Sequence, residues 1–355
     1  MKKLLILICF IVVVCACLVG SYFYLISSPS KTKETISFYV EEGQTYNTIS
    51  TNLKKKNLIR NELAYKIYLK IHPETDLEYG EYRIDTNLSV KELIDVLKKG
   101  SISLANTKSV TFIEGKNMRN VISVITQNFN ISESEVLSKL NDKEYLDKLI
   151  EKYWFITEEV KNDKIYYSLE GYLYPDTYEF YTNASVEDIF EKMLDNMESK
   201  LEEYKSEIES SEYSFHEMIT LASIIEHEAG TSSDRRGVAG VFYNRLEDNW
   251  SLGSDVTTYY AEKIDNYSRD LYNSELNECN DYNTRSSCMA GKLPVGPICN
   301  PSLNSLVAAI EPEKHDYYYF VADKNGKTYF NKTYSGHEQE VARLKREGIW
   351  IEYEE

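Results

Sequence analysis

An α+β protein tethered at its N-terminus is the fold class this sequence predicts, and three observations predict it. An uncharged apolar run, Leu4 to Leu25, follows Met1-Lys2-Lys3. From Ile36 to Ile125, short alternating strand patterns take turns with helical 3.6-residue patterns. From Tyr166 onward aromatic residues cluster, most of the prolines and glycines appear, and two helices with apolar faces follow. At 355 residues with 42% apolar composition, the chain can bury the cores of two or three domains.

The apolar run would span about 33 Å as a helix, enough to cross a bilayer. The lysines ahead of it place residues 1–3 in the cytoplasm, 4–27 in the membrane and the rest outside. A cleaved signal peptide would have a shorter core and a small-residue cleavage site. A lipoprotein modified at Cys17 would turn polar at once, whereas Leu18 to Leu25 stays apolar. A retained anchor is therefore expected.

Residues 28–35 read as a polar linker. Ile36 to Val40 alternates as a strand, Glu41-Glu42-Gly43 turns, and Tyr46, Ile49 and Leu53 mark one face of a helix. The plan recurs: Val110 to Ile113 as a strand, Glu114-Gly115 as a turn, Val121 to Ile125 as a helix. Gly43 to Ile49 and Gly115 to Val121 have the same spacing, a weak internal repeat. Between the copies, residues 79–84 read as a strand and 88–97 as a helix that Gly100 stops. Such units resemble the LysM fold, which implies an α/β glycan-binding region over 36–125. Residues 126–164 are polar and helical, a connector, and 165–355 form a mixed α+β second domain.

The most informative stretch is Ser214 to Gly230. Ser214 and Glu217 form a capping box, and Met218, Leu221, Ala222, Ile225 and Ala229 fall on one helical stripe. Glu226 and Glu228 flank that stripe, each roughly 80° from its centre, while His227 points away. A carboxyl at such a border can be desolvated and serve as a general acid. The wheel does not choose between the two, and a solvated helix end would look the same. His227-Glu228 is not a zinc-protease signature, because Thr231 stands where a second histidine belongs. Ser232 or Ser233 is expected to cap the next helix, whose face is Val238, Val241, Phe242 and Leu246. The polar segments around Ser254, Asp255 and Thr257, around Tyr282, Asn283 and Thr284, and the proline-rich loop Leu293 to Pro301 suit a sugar groove, where hydroxyls need short hydrogen bonds and a stacking face.

Taken together, Leu169-Glu170-Gly171-Tyr172-Leu173-Tyr174-Pro175-Asp176-Thr177-Tyr178, Ala222-Ser223-Ile224-Ile225-Glu226, Val241-Phe242-Tyr243-Asn244-Arg245-Leu246, Ser254-Asp255-x-Thr257, Tyr282-Asn283-Thr284 and Gly296-Pro297-Ile298-x-Asn300-Pro301 resemble the endolytic murein transglycosylases of the MltG/YceG-like type. The resemblance implies a membrane-anchored lyase that cleaves MurNAc-GlcNAc bonds within nascent peptidoglycan strands and leaves 1,6-anhydro ends. It implies that Glu226 is the catalytic residue. Asn244, Ser254, Asp255, Thr257, Tyr282, Asn283, Thr284 and Asn300 are the expected substrate-binding residues. It implies no cofactor and no metal, glycan strands and the membrane as partners, and cell-wall synthesis enzymes as further ones. The sequence departs from the family pattern at Val256, where proline is usual, at Lys292 to Val295, where Gly-Leu-Pro-Pro is common, and at Thr328, where histidine is expected. These departures bear on groove details and leave the acid intact. Two other readings stay open: a muramidase-type hydrolase using water, with Asp255 or Glu170 as a second carboxylate, and a non-enzymatic LysM-type wall-binding protein.

Charge and cysteine content set limits on these readings. The net charge is -17, which argues against nucleic acid as a partner. The 30 tyrosines, against 12 phenylalanines and 3 tryptophans, offer flat faces with hydroxyls that suit sugars and suit half-buried positions equally. Cys279 and Cys288 could pair outside the cell, leaving Cys299 over, and no cysteines stand at zinc-ligand spacing.

Overall fold

The computed structural model describes residue 17 and residues 19–350 apart from 42, 76, 99, 101–106, 230, 232, 266 and 268. Most of the run expected to span the membrane lies outside the described residues; residues 19–26 are helical. Among the described residues no helix is long and apolar enough to cross a membrane. The chain forms two compact units, residues 1–108 and 109–355.

The first unit runs β1 (Thr35–Val40), α1 (Ser50–Lys55), α2 (Glu62–Ile71), β2 (Gly80–Asp85) and α3 (Val90–Lys98). β1 and β2 pair antiparallel, with Phe38 opposite Tyr82 and Ile36 opposite Ile84. The alternation turns Phe38, Val40, Tyr82 and Ile84 inward against Ile49, Leu53, Tyr65, Leu93 and Leu97. The Asn61 side chain accepts the Ala64 N–H at 2.9 Å and so starts α2.

The second unit contains β3 (Thr107–Thr111, beginning at the unit boundary), α4 (Met118–Asn128), α5 (Glu133–Leu140), α6 (Lys143–Lys152), β4 (Thr177–Tyr181), α7 (Val186–Leu201), α8 (Lys205–Ser210), α9 (Phe215–Glu228), α10 (Arg235–Glu247), α11 (Asp255–Ala261), α12 (Asn273–Asn277), α13 (Leu303–Ile310), β5 (Tyr319–Ala322), β6 (Thr328–Asn331) and α14 (Tyr334–Arg346). β3 pairs with β4, and β5 with β6. The two copies of the strand-turn-helix plan therefore enter different units. β1 finds its partner within the first unit, whereas β3 finds its partner some 70 residues downstream in the second. The stretch expected to be a connector, 126–164, is part of the second core. Val136, Leu140, Leu146, Leu149, Phe155 and Val160 bury with Phe190, Met193 and Ile219. Its polarity comes from the outer faces of short amphipathic helices, which a composition average hides.

At the centre lies α9, which packs against α10, α11 and α13. The sequence predicts one buried stripe, but every residue of the helix from Phe215 to Ile225 except Glu217 is buried. Its polar residues satisfy themselves or bind neighbours. Thr220 Oγ1 donates to the His216 carbonyl at 2.6 Å, and Ser223 Oγ accepts the Ile298 N–H at 3.0 Å. The expected capping box is present, with Ser214 Oγ accepting the Glu217 N–H at 3.2 Å and Glu217 accepting the Ser214 N–H at 2.8 Å. α10 starts at Arg235 with no side-chain cap. Asp234, at the cap position, instead accepts the Thr328 N–H at 2.9 Å, which corrects the expected Ser232 or Ser233 cap. Tyr172, Tyr174 and Tyr178, members of the aromatic cluster, are core residues. Cys279 and Cys288 form a disulfide with a Cα–Cα distance of 6.0 Å.

Gly171 joins two of the family motifs. Its φ is +86°, and a Cβ there would lie 2.6 Å from Pro297 Cβ. Gly171→Ala should lower stability by about 2 kcal/mol or more, from left-handed strain plus overlap with a proline ring that cannot swing away. Thermal unfolding read by circular dichroism tests this; an unchanged melting temperature would show that the loop yields.

Candidate active site

Glu226 ends the buried length of α9, and its side chain is 9% exposed. The N-terminus of α13 meets it there. Glu226 Oε2 accepts the Ser302 N–H at 2.9 Å and the Ser302 hydroxyl at 2.6 Å. Ser302 is the N-cap residue of α13 but makes no cap with its side chain, because the hydroxyl turns to the glutamate. The positive end of the α13 dipole adds to the attraction. Glu226 Oε1 accepts Arg235 Nη2 at 3.1 Å, and Arg235 Nη1 donates to Ser302 Oγ at 2.8 Å. Three donors from two elements thus close on one carboxylate.

The Glu114-Gly115 turn covers it from the other side. Gly115 has φ +71°, and a Cβ there would lie 3.4 Å from Glu226 Cγ and 3.5 Å from His227 Cε1. A Cβ would be in ordinary contact there, so it is the left-handed backbone that calls for glycine. The turn is fixed by Asn300: Gly115 N–H donates to the Asn300 carbonyl at 2.9 Å, and Asn300 N–H donates to the Lys116 carbonyl at 3.0 Å. The Asn300 side chain donates to the same Lys116 carbonyl at 3.2 Å and accepts the Leu173 N–H at 3.2 Å. Glu114, exposed on the turn, is raised above the ordinary carboxyl range by burial and then by the charge of Glu226, with Arg235 opposing. Burial pushes the His227 imidazole below its ordinary value.

Glu228, the other candidate on the wheel, occupies a separate environment. Its Oε1 accepts the Ser254 hydroxyl at 2.6 Å. Burial raises its carboxyl above the usual range, with the Asp255 charge adding to this and Arg245 opposing. The opposite flanks seen on the wheel are thus two different walls of the protein.

The expected substrate-binding side chains mostly hold these walls. Asn244 donates to the His315 and Tyr317 carbonyls, each at 2.9 Å. Thr257 and Thr284 share a buried 2.8 Å hydrogen bond, and Thr258 donates to Asn283 at 2.6 Å. Tyr282 accepts the Tyr166 N–H at 3.2 Å and is 1% exposed. Ser254, Thr257, Tyr282, Asn283, Thr284 and Asn300 are all buried, and their polar groups are hydrogen-bonded within the protein. In this arrangement they position the surrounding loops. Asp255 alone among them has an exposed side chain, paired with Arg285 at 3.3 Å. Sequence reasoning missed Arg235, Ser302 and Gly115 as neighbours of the acid. Ser302 directly follows the last motif; Arg235 carries no local signal.

The sequence model of the YceG-like family matches residues 38–343. The chain belongs to the YceG-like family. Among its relatives, an endolytic murein transglycosylase of Bacillus subtilis (strain 168) is 34% identical over 308 residues, covering 86% of this chain and 84% of that one. An endolytic murein transglycosylase of Streptococcus pneumoniae serotype 2 (strain D39) is 29% identical over 344 residues. The match covers 91% of this chain but spans 62% of the streptococcal one. A crystal structure of a putative YceG-like protein from Listeria monocytogenes aligns with TM-score 0.60 and 32% identity, over 87% of this chain and 99% of that one.

In this YceG-like chain the motif glutamate Glu170 is not at the surface. It is 2% exposed. Its Oε2 accepts the Met118 N–H at 2.9 Å and the Tyr260 hydroxyl at 3.0 Å. Its Oε1 is buried with no hydrogen-bond partner among the described residues. Burial pushes its pKa up to about 7. A carboxyl raised on folding binds a proton that the unfolded chain has released, so its contribution is present below pH 4.5 and is lost as pH rises toward 7. Glu170→Gln removes that titration. Urea unfolding of the second unit at pH 4.5, 6 and 7.5 should show the variant gaining on the wild type by roughly 3 kcal/mol across the window. Parallel stability curves would count against this assignment.

Proposed function

We propose that this protein is a lytic endotransglycosylase of peptidoglycan, a lyase, with Glu226 as its single acid/base. The observation that carries the reading is the carboxylate of Glu226, gripped by Ser302 and Arg235 under a side-chain-free glycine turn, in a chain related to endolytic murein transglycosylases. Glu226 Oε2 takes two hydrogen bonds and Oε1 takes one. Oε1 is thus the oxygen with room to carry a proton.

The reaction needs little else. Protonated Glu226 gives its proton to the oxygen leaving MurNAc C1, which becomes the 4-hydroxyl of the departing GlcNAc. The MurNAc C6 hydroxyl then closes on C1, and its proton returns to Glu226. A 1,6-anhydro ring forms and no water is consumed, so no second carboxylate is required to activate one. The two carboxylates that would have served a hydrolase are engaged elsewhere: Asp255 pairs with Arg285, and Glu170 is buried under Met118 and Tyr260.

The apolar run over 4–27 anchors the protein in the cell membrane with the catalytic domain, placed by the sequence at 165–355, outside. The sequence places a LysM-like, glycan-holding region over 36–125; the part of it in the first unit, which ends at residue 108, has the strand-helix-helix-strand order of β1, α1, α2 and β2, which supports the reading. Glycan strands, the bilayer and wall-synthesis enzymes are the partners that fit such a placement.

The test is a digest of uncrosslinked glycan strands read by mass spectrometry. The wild-type protein should yield internal cuts with anhydro ends, one water lighter than reducing ends. Glu226→Gln should lower the rate at least about a hundredfold. Persistent cleavage would shift the role to Glu228. Reducing ends would make the protein a hydrolase, and intact strands a wall-binding protein.

A further inference from the structure

Beside the acid lies a cavity that the chemistry at Glu226 does not use. Gly115 and His227, which bracket Glu226, contribute to its lining together with Lys116, Arg119, Asp265 and Tyr267. Its volume is about 620 Å³, more than one sugar ring needs. Its charges are arranged in a definite order. Asp265 accepts from Arg119 through Nε and Nη2 at 2.5–3.1 Å and from the Asn117 amide at 2.6 Å. Burial alone would raise the Asp265 carboxyl, but these donors outweigh it and hold it below the usual range. Asp265 and Arg119 thus neutralise each other.

Two donors are left over. Arg119 Nη1 is buried and has no hydrogen-bond partner among the described residues. Lys116, exposed at the mouth, forms no ion pair among the described residues. His227 adds no charge near neutral pH, because burial lowers its imidazole. In a chain of net charge -17, a cavity lined by one surplus cation selects an anion.

We propose that this cavity is a subsite for the acidic peptide carried on the lactyl group of the muramic acid being cut, with Lys116 binding a peptide carboxylate. The inference rests on the peptidoglycan reading above. While its lactyl groups are joined to peptide through amide bonds the glycan itself carries no charge, so the peptide is the part of the substrate that can answer a cation. The backbone of Lys116 is pinned by Asn300, so the ammonium starts from a fixed base one residue from the turn over Glu226.

The experiment uses the full chain carrying Glu226→Gln, so that binding is read without turnover. Affinity is measured for strands bearing their peptides and for the same strands freed of peptide by an amidase, with the lactyl carboxylates so exposed capped as methylamides. Peptide-bearing strands should bind more tightly. Lys116→Met should reduce that preference about tenfold, Lys116→Arg should retain most of it, and added salt should erode it. An equal affinity for both strands, or a preference that Lys116→Met leaves intact, overturns the subsite. Failure of both strands to bind at all would instead overturn the peptidoglycan reading.

Discussion

One short clamp determines the site: the antiparallel bridge between Lys116 and Asn300, reinforced by the Asn300 side chain. It fastens the Gly115 turn across the end of α9. The bridge satisfies backbone groups that would otherwise be left unpaired in a loop, and the Asn300 amide ties in a third segment through Leu173. Ser302, two residues later, then falls at the head of α13, where its N–H and hydroxyl both reach Glu226. Pro301, the one residue between Asn300 and Ser302, therefore works as a stiff spacer between the clamp and the acid.

This arrangement divides the polar residues of the site into two kinds. Asn300, Thr257, Thr284 and Asn283 have their hydrogen-bonding capacity filled within the protein and make rigid walls. Glu226, Lys116 and Asp255 keep atoms toward solvent or open space. A sugar polymer rich in hydroxyls meets a surface whose shape is fixed beforehand, which limits the ordering cost of binding. The partly buried ion pair of Arg235 with Glu226 holds the acid in place through geometry, since Arg235 and Ser302 reach it from separate elements.

Much of this was legible in the sequence. The capping box at Ser214 and Glu217, the apolar face of α9 and the position of Glu226 at its end follow from local periodicity and capping chemistry, which depend on neighbours a few residues away. The order of motifs pointed to the family that the relatives bear out. The roles of Asn244, Thr257 and Asn283 were not legible. A polar residue in the sequence looks the same whether its partner is a ligand or a carbonyl seventy residues away. Arg235 was missed for the same reason, since its meaning comes only from Ser302 and Glu226. The extent of the second unit was hidden because short amphipathic helices between 133 and 152 average to a polar composition while each buries an apolar edge.

The clamp also bears on timing. Lys116 meets Asn300 across 184 residues, and Glu226 meets Ser302 across 76. Contacts between such distant positions close late, because the chain between them must first be ordered. As the chain leaves its site of synthesis, β3 and α4 emerge long before the loop that fastens them to the acid. A protein able to cut a load-bearing polymer is thereby without its assembled site until most of the second unit has been delivered. The same remoteness means that loosening the far loop would disable the site while α9 itself stays folded.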